Sequence, residues 1–131
     1  MIAGLLFLLT AFVPPADTPK DVLDLFQSAA EALANNNARG FCDKFDRAWE
    51  GYRQLHDDIE DLLARAQVGS SIEIASDDGD DTKRTLELDW LLSIEGEQPR
   101  HKIIKCRIEK QGKKWKIVAL EPAGFFRASR K

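Results

Sequence analysis

The sequence predicts an α+β fold in which N-terminal helices pack on a four-stranded antiparallel sheet. Two observations carry this. Apolar residues recur at three- and four-residue spacing up to about Gln67, and at two-residue spacing from Ser71 onward. Clusters of Asp, Gly, Pro and Gln then cut the second half into four stretches of strand length. The 131 residues suit one domain, expected over residues 17–131 behind a short leading segment.

That leading segment, 1–16, is read as a secretory signal. Ile2 to Val13 carries no charge. As a helix, twelve residues would reach about 18 Å against a hydrocarbon core of ~30 Å, too short to span. The length suits a signal's apolar region, although no Lys or Arg precedes it and Pro14-Pro15-Ala16 is not a clean cleavage site. Export to a periplasmic or extracellular space is the expectation; the alternative is an uncleaved amphiphilic anchor.

Thr18-Pro19-Lys20-Asp21 reads as a helix start with Thr18 as cap. Val22, Leu25, Phe26, Ala29, Ala30 and Leu33 then form one apolar face, and Asn35-Asn36-Asn37 ends it. A second helical pattern runs from about Ala38 to Gln67, long for a globular helix, with Gly51 in its interior. A break between Asp46 and Gly51 is expected.

The strand pattern begins at Ser71 to Ser76, followed by a turn over Asp77-Asp78-Gly79-Asp80-Asp81. Leu86, Leu88, Trp90, Leu92 and Ile94 alternate with mostly polar residues in a second strand, and Ile104, Cys106 and Ile108 in a third. A hairpin at Gln111-Gly112 would lead to Trp115, Ile117 and Ala119. That hairpin predicts pairing of Ile108 with Trp115 and of Cys106 with Ile117. Pairing Trp90 with Cys106 and Leu92 with Ile104 keeps all apolar sets on one face and sets Asp89 opposite Arg107 on the other.

Charge is uneven. Asp17 to Asp61 holds eleven acids and five bases, Arg100 to Lys131 eleven bases and two acids. The two halves attract one another and solvate the outer faces; a phosphate- or membrane-binding face is the alternative. A net charge of −3 gives no reason to expect nucleic acid.

The helix–meander order ends in Gly112-Lys113-Lys114-Trp115-Lys116-Ile117-Val118-Ala119-Leu120-Glu121-Pro122, then Phe125-Phe126. Together with Ala32-Leu33-Ala34-Asn35-Asn36-Asn37-Ala38-Arg39-Gly40-Phe41, it resembles the nuclear transport factor 2-like superfamily, also called cystatin-like or SnoaL-like. The resemblance covers most of residues 17–131. It implies a curved four-stranded antiparallel sheet wrapped around the helices as a cone-shaped α+β barrel, with a conical pocket between them. Some members isomerise steroids or close polyketide rings, and others only bind a ligand or a partner, so fold alone does not decide function. In the ketosteroid isomerases the catalytic carboxylate sits on a hairpin between the second and third helices. Asp46 to Gly51 is too short for that hairpin.

Phe45, Trp49, Tyr52, Trp90 and Trp115, with Asp46 and His56 as polar anchors, would line such a pocket; otherwise they are core. The two cysteines, Cys42 and Cys106, either form a disulfide or are separate buried thiols. They and the two histidines show no zinc spacing, and the Asp77–Asp81 run lacks an EF-hand's terminal Glu. No metal, cofactor or catalytic dyad is expected. The acids Asp57, Asp58, Glu60 and Asp61 read as a wet helix face. Outward Leu91, Ile103, Val118 and Leu120 suggest a homodimer through the convex sheet face. The reading is an exported binding domain for a small apolar ligand or a partner protein; the alternative is an isomerase- or cyclase-like enzyme with a carboxylate inside the cone.

Overall fold

The computed structural model describes residues 18–127. The expected signal segment, 1–16, lies outside them. Three helices, α1 (Lys20–Ala34), α2 (Ala38–Cys42) and α3 (Tyr52–Arg65), precede four strands, β1 (Val68–Gly79), β2 (Lys83–Ile94), β3 (Arg100–Gln111) and β4 (Lys114–Glu121). A 3-10 helix, Ala123–Phe126, ends the order. The sheet is an open antiparallel meander, β1-β2-β3-β4. Among the described residues no helix is long and apolar enough to cross a membrane.

Helix α1 buries Val22, Phe26, Ala29, Ala32 and Leu33 on one face. It ends in a Schellman arrangement: Asn36 takes φ 60°, and the amides of Asn36 and Asn37 donate to Leu33 and Ala32 carbonyls at 3.1 and 2.8 Å. Asn tolerates this left-handed geometry better than any branched residue would. Asn37 then caps α2, its Oδ1 accepting from the Gly40 amide at 2.9 Å. The start of α1 differs from expectation. Pro19 is the cap residue, and Thr18 instead donates its hydroxyl to Asp77 Oδ2 at 2.7 Å.

The expected break in the long helical pattern covers Asp43 to Gly51, wider than Asp46 to Gly51. Tertiary pairing explains the extra length. Lys44 and Asp46 exchange backbone bonds with Ile117, Phe45 lying parallel beside it, so this stretch covers part of β4's free edge. A helix there would forfeit both bonds.

The strand faces agree with the pattern, but the registers differ. Cys106 lies opposite Leu86 rather than Trp90, and Ile104 opposite Leu88 rather than Leu92. Trp90 faces Lys102, and Asp89 faces Ile103 rather than Arg107. At the hairpin Gln111 pairs with Lys114, so the loop is Gly112-Lys113 with Gly112 at φ 66°, and Ile108 meets Ile117 while Lys110 meets Trp115. Each shift at these pairs is by an even number of residues and keeps the apolar face inward.

Two bulges change parity. In β4, Ile108 pairs with Ile117 but Arg107 with Ala119, leaving Val118 as the extra residue. Beyond it Leu120 turns inward, 1% exposed, and Ala119 outward; Leu120 is therefore core and not part of an outer patch. In β1, Ala75 is the extra residue between Ile74 and Ser76. That bulge puts Asp77 opposite Leu86, on the inner face. Asp77 Oδ1 there accepts from Arg84 Nε at 2.9 Å, with the two side chains 0% and 5% exposed. Strand β1 thus runs through Asp77 and Asp78 to Gly79, and the turn is shorter than expected. Gly79 is required in it, because a Cβ would lie 2.2 Å from the Lys83 carbonyl.

Candidate functional site

The concave sheet face and the helices enclose a continuous aromatic stack. Trp90, 0% exposed, packs edge-on against Phe41, Phe125 and Phe126 at centroid distances of 6.3, 6.0 and 5.3 Å. Its Nε1 donates to Ser70 Oγ at 2.9 Å, which satisfies the one polar atom the ring carries. Phe41 continues to Phe45 at 5.3 Å, and Phe45 stacks on Trp49 at 6.0 Å. Three of the six expected pocket residues, Phe45, Trp49 and Trp90, are therefore linked through rings.

The other three stand apart. Trp115 donates Nε1 to Asp21 Oδ2 at 3.1 Å near the start of α1, with Lys110 Nζ 5.3 Å from its ring centroid. Tyr52, in the first turn of α3, lies 6.0 Å from the His56 ring in a shallow polar cleft. Asp46 spends its oxygens on the Ala48 amide at 2.8 Å and on Gln111 Nε2 at 2.9 Å. The Ala48 amide, then Gln111, holds its carboxyl below the ordinary 3.8. A general acid at neutral pH needs the opposite shift.

The rings that close over Trp90 are Phe125 and Phe126, 4% and 0% exposed. Their 3-10 helix is tied down by Arg100, which donates from Nη1 to the carbonyls of Phe125 and Arg127, both at 2.7 Å, and pairs with Glu97 at 3.1 Å. Arg127 lies 3.5 Å from Asp58 Oδ2. Asp58 is 7% exposed and accepts from Gln54 at 2.9 Å, so it is not part of the wet face expected for it. The sequence signal for the plug was present: an apolar pair just past the last strand, where nothing solvent-facing calls for two rings.

Cys42 and Cys106 are separate free thiols. Burial, with help from Glu60 and Asp43, pushes Cys42 up to about 11, and complete burial pushes Cys106 higher still. Neither is a nucleophile at neutral pH. Among the described residues, no group of three or more His, Cys, Asp or Glu side chains could hold a metal ion.

Beside clefts lined by Arg39 and His56 and by Trp49 and Glu121, the described surface carries two further features. One is a cleft of about 720 Å³ between α1, the end of α2 and the β3–β4 hairpin. The other is the outer sheet face, where Leu91 and Ile103 are 40% and 54% exposed. They sit diagonally on β2 and β3, since Leu91 pairs with His101 and Asp89 with Ile103. Glu73, Glu87 and Asp89 flank them on β1 and β2, with Lys83 further along β2; Lys105 and Arg107 flank them on β3, with Glu109 and Glu121 beyond. Asp89 meets His101 across the strands, not Arg107.

The sequence matches no protein-family profile and no curated protein. Solved structures do match. Bd1075 of Bdellovibrio bacteriovorus aligns with a TM-score of 0.69 at 12% identity over 78% of this chain, which spans 40% of that one. A cystatin-like protein of unknown function from Nostoc punctiforme aligns at 0.63 and 13% identity, over 82% of this chain and 90% of that one. An NTF-2 like protein of unknown function from Shewanella oneidensis aligns at 0.65 and 10%, over 76% and 93%. The chain has the nuclear transport factor 2-like, cystatin-like α+β fold.

Proposed function

We propose that this is an exported, non-catalytic binding domain whose working surface is the outer face of the sheet, and that the occupant of that face is a second copy of the chain. The observation that carries the reading is that Trp90, Phe125 and Phe126 pack ring against ring on the inner face, whereas Leu91 and Ile103 on the outer face are exposed. An apolar ligand beside Trp90 would have to displace Phe125 and Phe126, whereas Leu91 and Ile103 already face solvent. The shifts of Asp46 and of both thiols favour binding over catalysis. Export rests on the uncharged Ile2–Val13 run.

A two-fold contact must be complementary to itself. An apolar centre of Leu91 and Ile103 with Glu73 and Asp89 on one side and Lys105 and Arg107 on the other meets that condition, because rotation by half a turn sets the carboxylates over the cations. Glu73 lies directly opposite Asp89, which is bonded to His101, and a partner's cation would offset the charge Glu73 adds beside it. Four strands at ~4.8 Å and about ten residues at ~3.3 Å give a face of roughly 600 Å², near the ~800 Å² per partner of a standard interface.

The test is light scattering of the exported chain at 10–100 μM. The wild type should run as a dimer, and Ile103→Glu as a monomer with unchanged melting. A wild type that stays monomeric at about 100 μM overturns the reading.

A further inference from the structure

The basic hairpin is not absorbed by that reading. Lys113 and Lys114, with Lys116 beside them on β4 and Lys44 after α2, line one side of the 720 Å³ cleft. The other side is α1, with Asp21 and Asp24, and Asp43 lies at the base. The acids are already matched. Asp21 accepts from Trp115 and pairs with Lys110 at 3.4 Å, Asp24 pairs with Lys20 at 3.0 Å, and Asp43 lies 3.9 Å from Arg47. Three of the cleft lysines are not. Lys116 donates to the Asp43 backbone carbonyl and its charge acts on Asp46, whereas Lys44, Lys113 and Lys114 have no carboxylate partner among the described residues.

From this we infer that the cleft is a binding site for a small soluble molecule carrying a phosphate-type oxyanion. Three ammonium groups without a carboxylate partner line this recess, and an oxyanion would relieve their mutual repulsion, each lysine acting as a point-charge donor. The volume holds a molecule of ordinary metabolite size. Leu25 offers an apolar contact beside the lysines for the organic body. A lipid headgroup would present the same chemistry, but a membrane plane pressed on the lysines would also meet Asp21 and Asp24. Those carboxylates rim the cleft, so the geometry favours a ligand that enters over a surface that lies across it.

Trp115 is the built-in reporter, since its indole N–H is bonded to Asp21 within the cleft lining. Pyrophosphate is titrated into the full chain at constant ionic strength and the three indole N–H signals are followed by NMR. The expected result is a saturable shift at Trp115 with Trp90 unmoved. Exposed pairs of this kind are worth about two- to five-fold each, so Lys113→Ala with Lys114→Ala should weaken binding about tenfold. Melting of that variant should be unchanged, because both side chains are exposed. An unshifted Trp115 signal, or equal affinity in the double variant, overturns the site. Sedimentation with phosphatidylglycerol vesicles is the second arm: vesicle binding without a response to pyrophosphate overturns the soluble ligand and assigns the lysines to a headgroup.

Discussion

Phe126→Ala should unfold this domain far more easily than any surface change. The ring is 0% exposed and lies 5.3 Å from Trp90, 5.2 Å from Phe125 and 5.5 Å from Phe41. Truncation removes the transfer free energy of a buried phenyl group and leaves a cavity whose rigid aromatic walls cannot collapse, which places the loss at ~3–5 kcal/mol. For a domain of this size each kcal/mol lowers the melting temperature by about 4–6 °C, giving a fall of roughly 12–30 °C. Thermal and urea melts followed by tryptophan fluorescence measure it, with Trp90 reporting from the cavity wall. Phe126→Leu, which keeps most of the volume, should lose much less. The emptied site should also take up benzene and regain part of the lost stability, since a dry apolar cavity binds such molecules. A fall of under about 4 °C would mean that the ring does not fill the cone, and the case for the outer face would lose its premise.

Two further outcomes follow from buried and bonded carboxylates. Asp77→Ala should cost ~3–5 kcal/mol in urea melts, because it strips a buried guanidinium of its carboxylate; a loss under ~1 kcal/mol would show the pair to be solvated. Asp46 should titrate below 3.8 by NMR, so the stability it contributes is complete above that pH and is lost only as pH falls through its lowered folded value. In Gln111→Ala the midpoint should rise yet stay below 3.8, since the Ala48 amide is the larger cause; a midpoint at or above 3.8 would refute the bond to Ala48.

The order of elements and the inward faces were legible in the sequence because a change of period from 3.6 to 2 survives almost any detail of packing. Register was not. Pairing Cys106 with Trp90 or with Leu86 buries the same side chains, and an even slip leaves the hydrophobic pattern unchanged. What chooses between them is the reach of the connection between Ile94 and Arg100, which composition does not encode. The bulges at Ala75 and Val118 were equally silent, and each reversed a reading: Asp77 moved from a wet turn to a buried pair, and Leu120 from the surface to the core. Of the expected site, the Phe45–Trp49–Trp90 side held together as rings. Trp115, Tyr52 and Asp46 parted, because residues on β4, in α3 and in the linker share no face that periodicity can relate.

The entry to α1 and its first turn touch both outermost strands: Thr18, just before the helix, bonds to Asp77 on β1, and Asp21 to Trp115 on β4. These contacts close separations of 59 and 94 residues, whereas every strand pair in the meander joins neighbours in the chain. Local hairpins form early and distant closures late, because loop entropy must be met before a long-range contact rewards it. The turn therefore docks only after β1 and β4 have both taken their places. It acts as a final inspection of the assembled sheet. Weakening it should leave the folding rate almost untouched and speed unfolding, since its bonds are absent from the transition state.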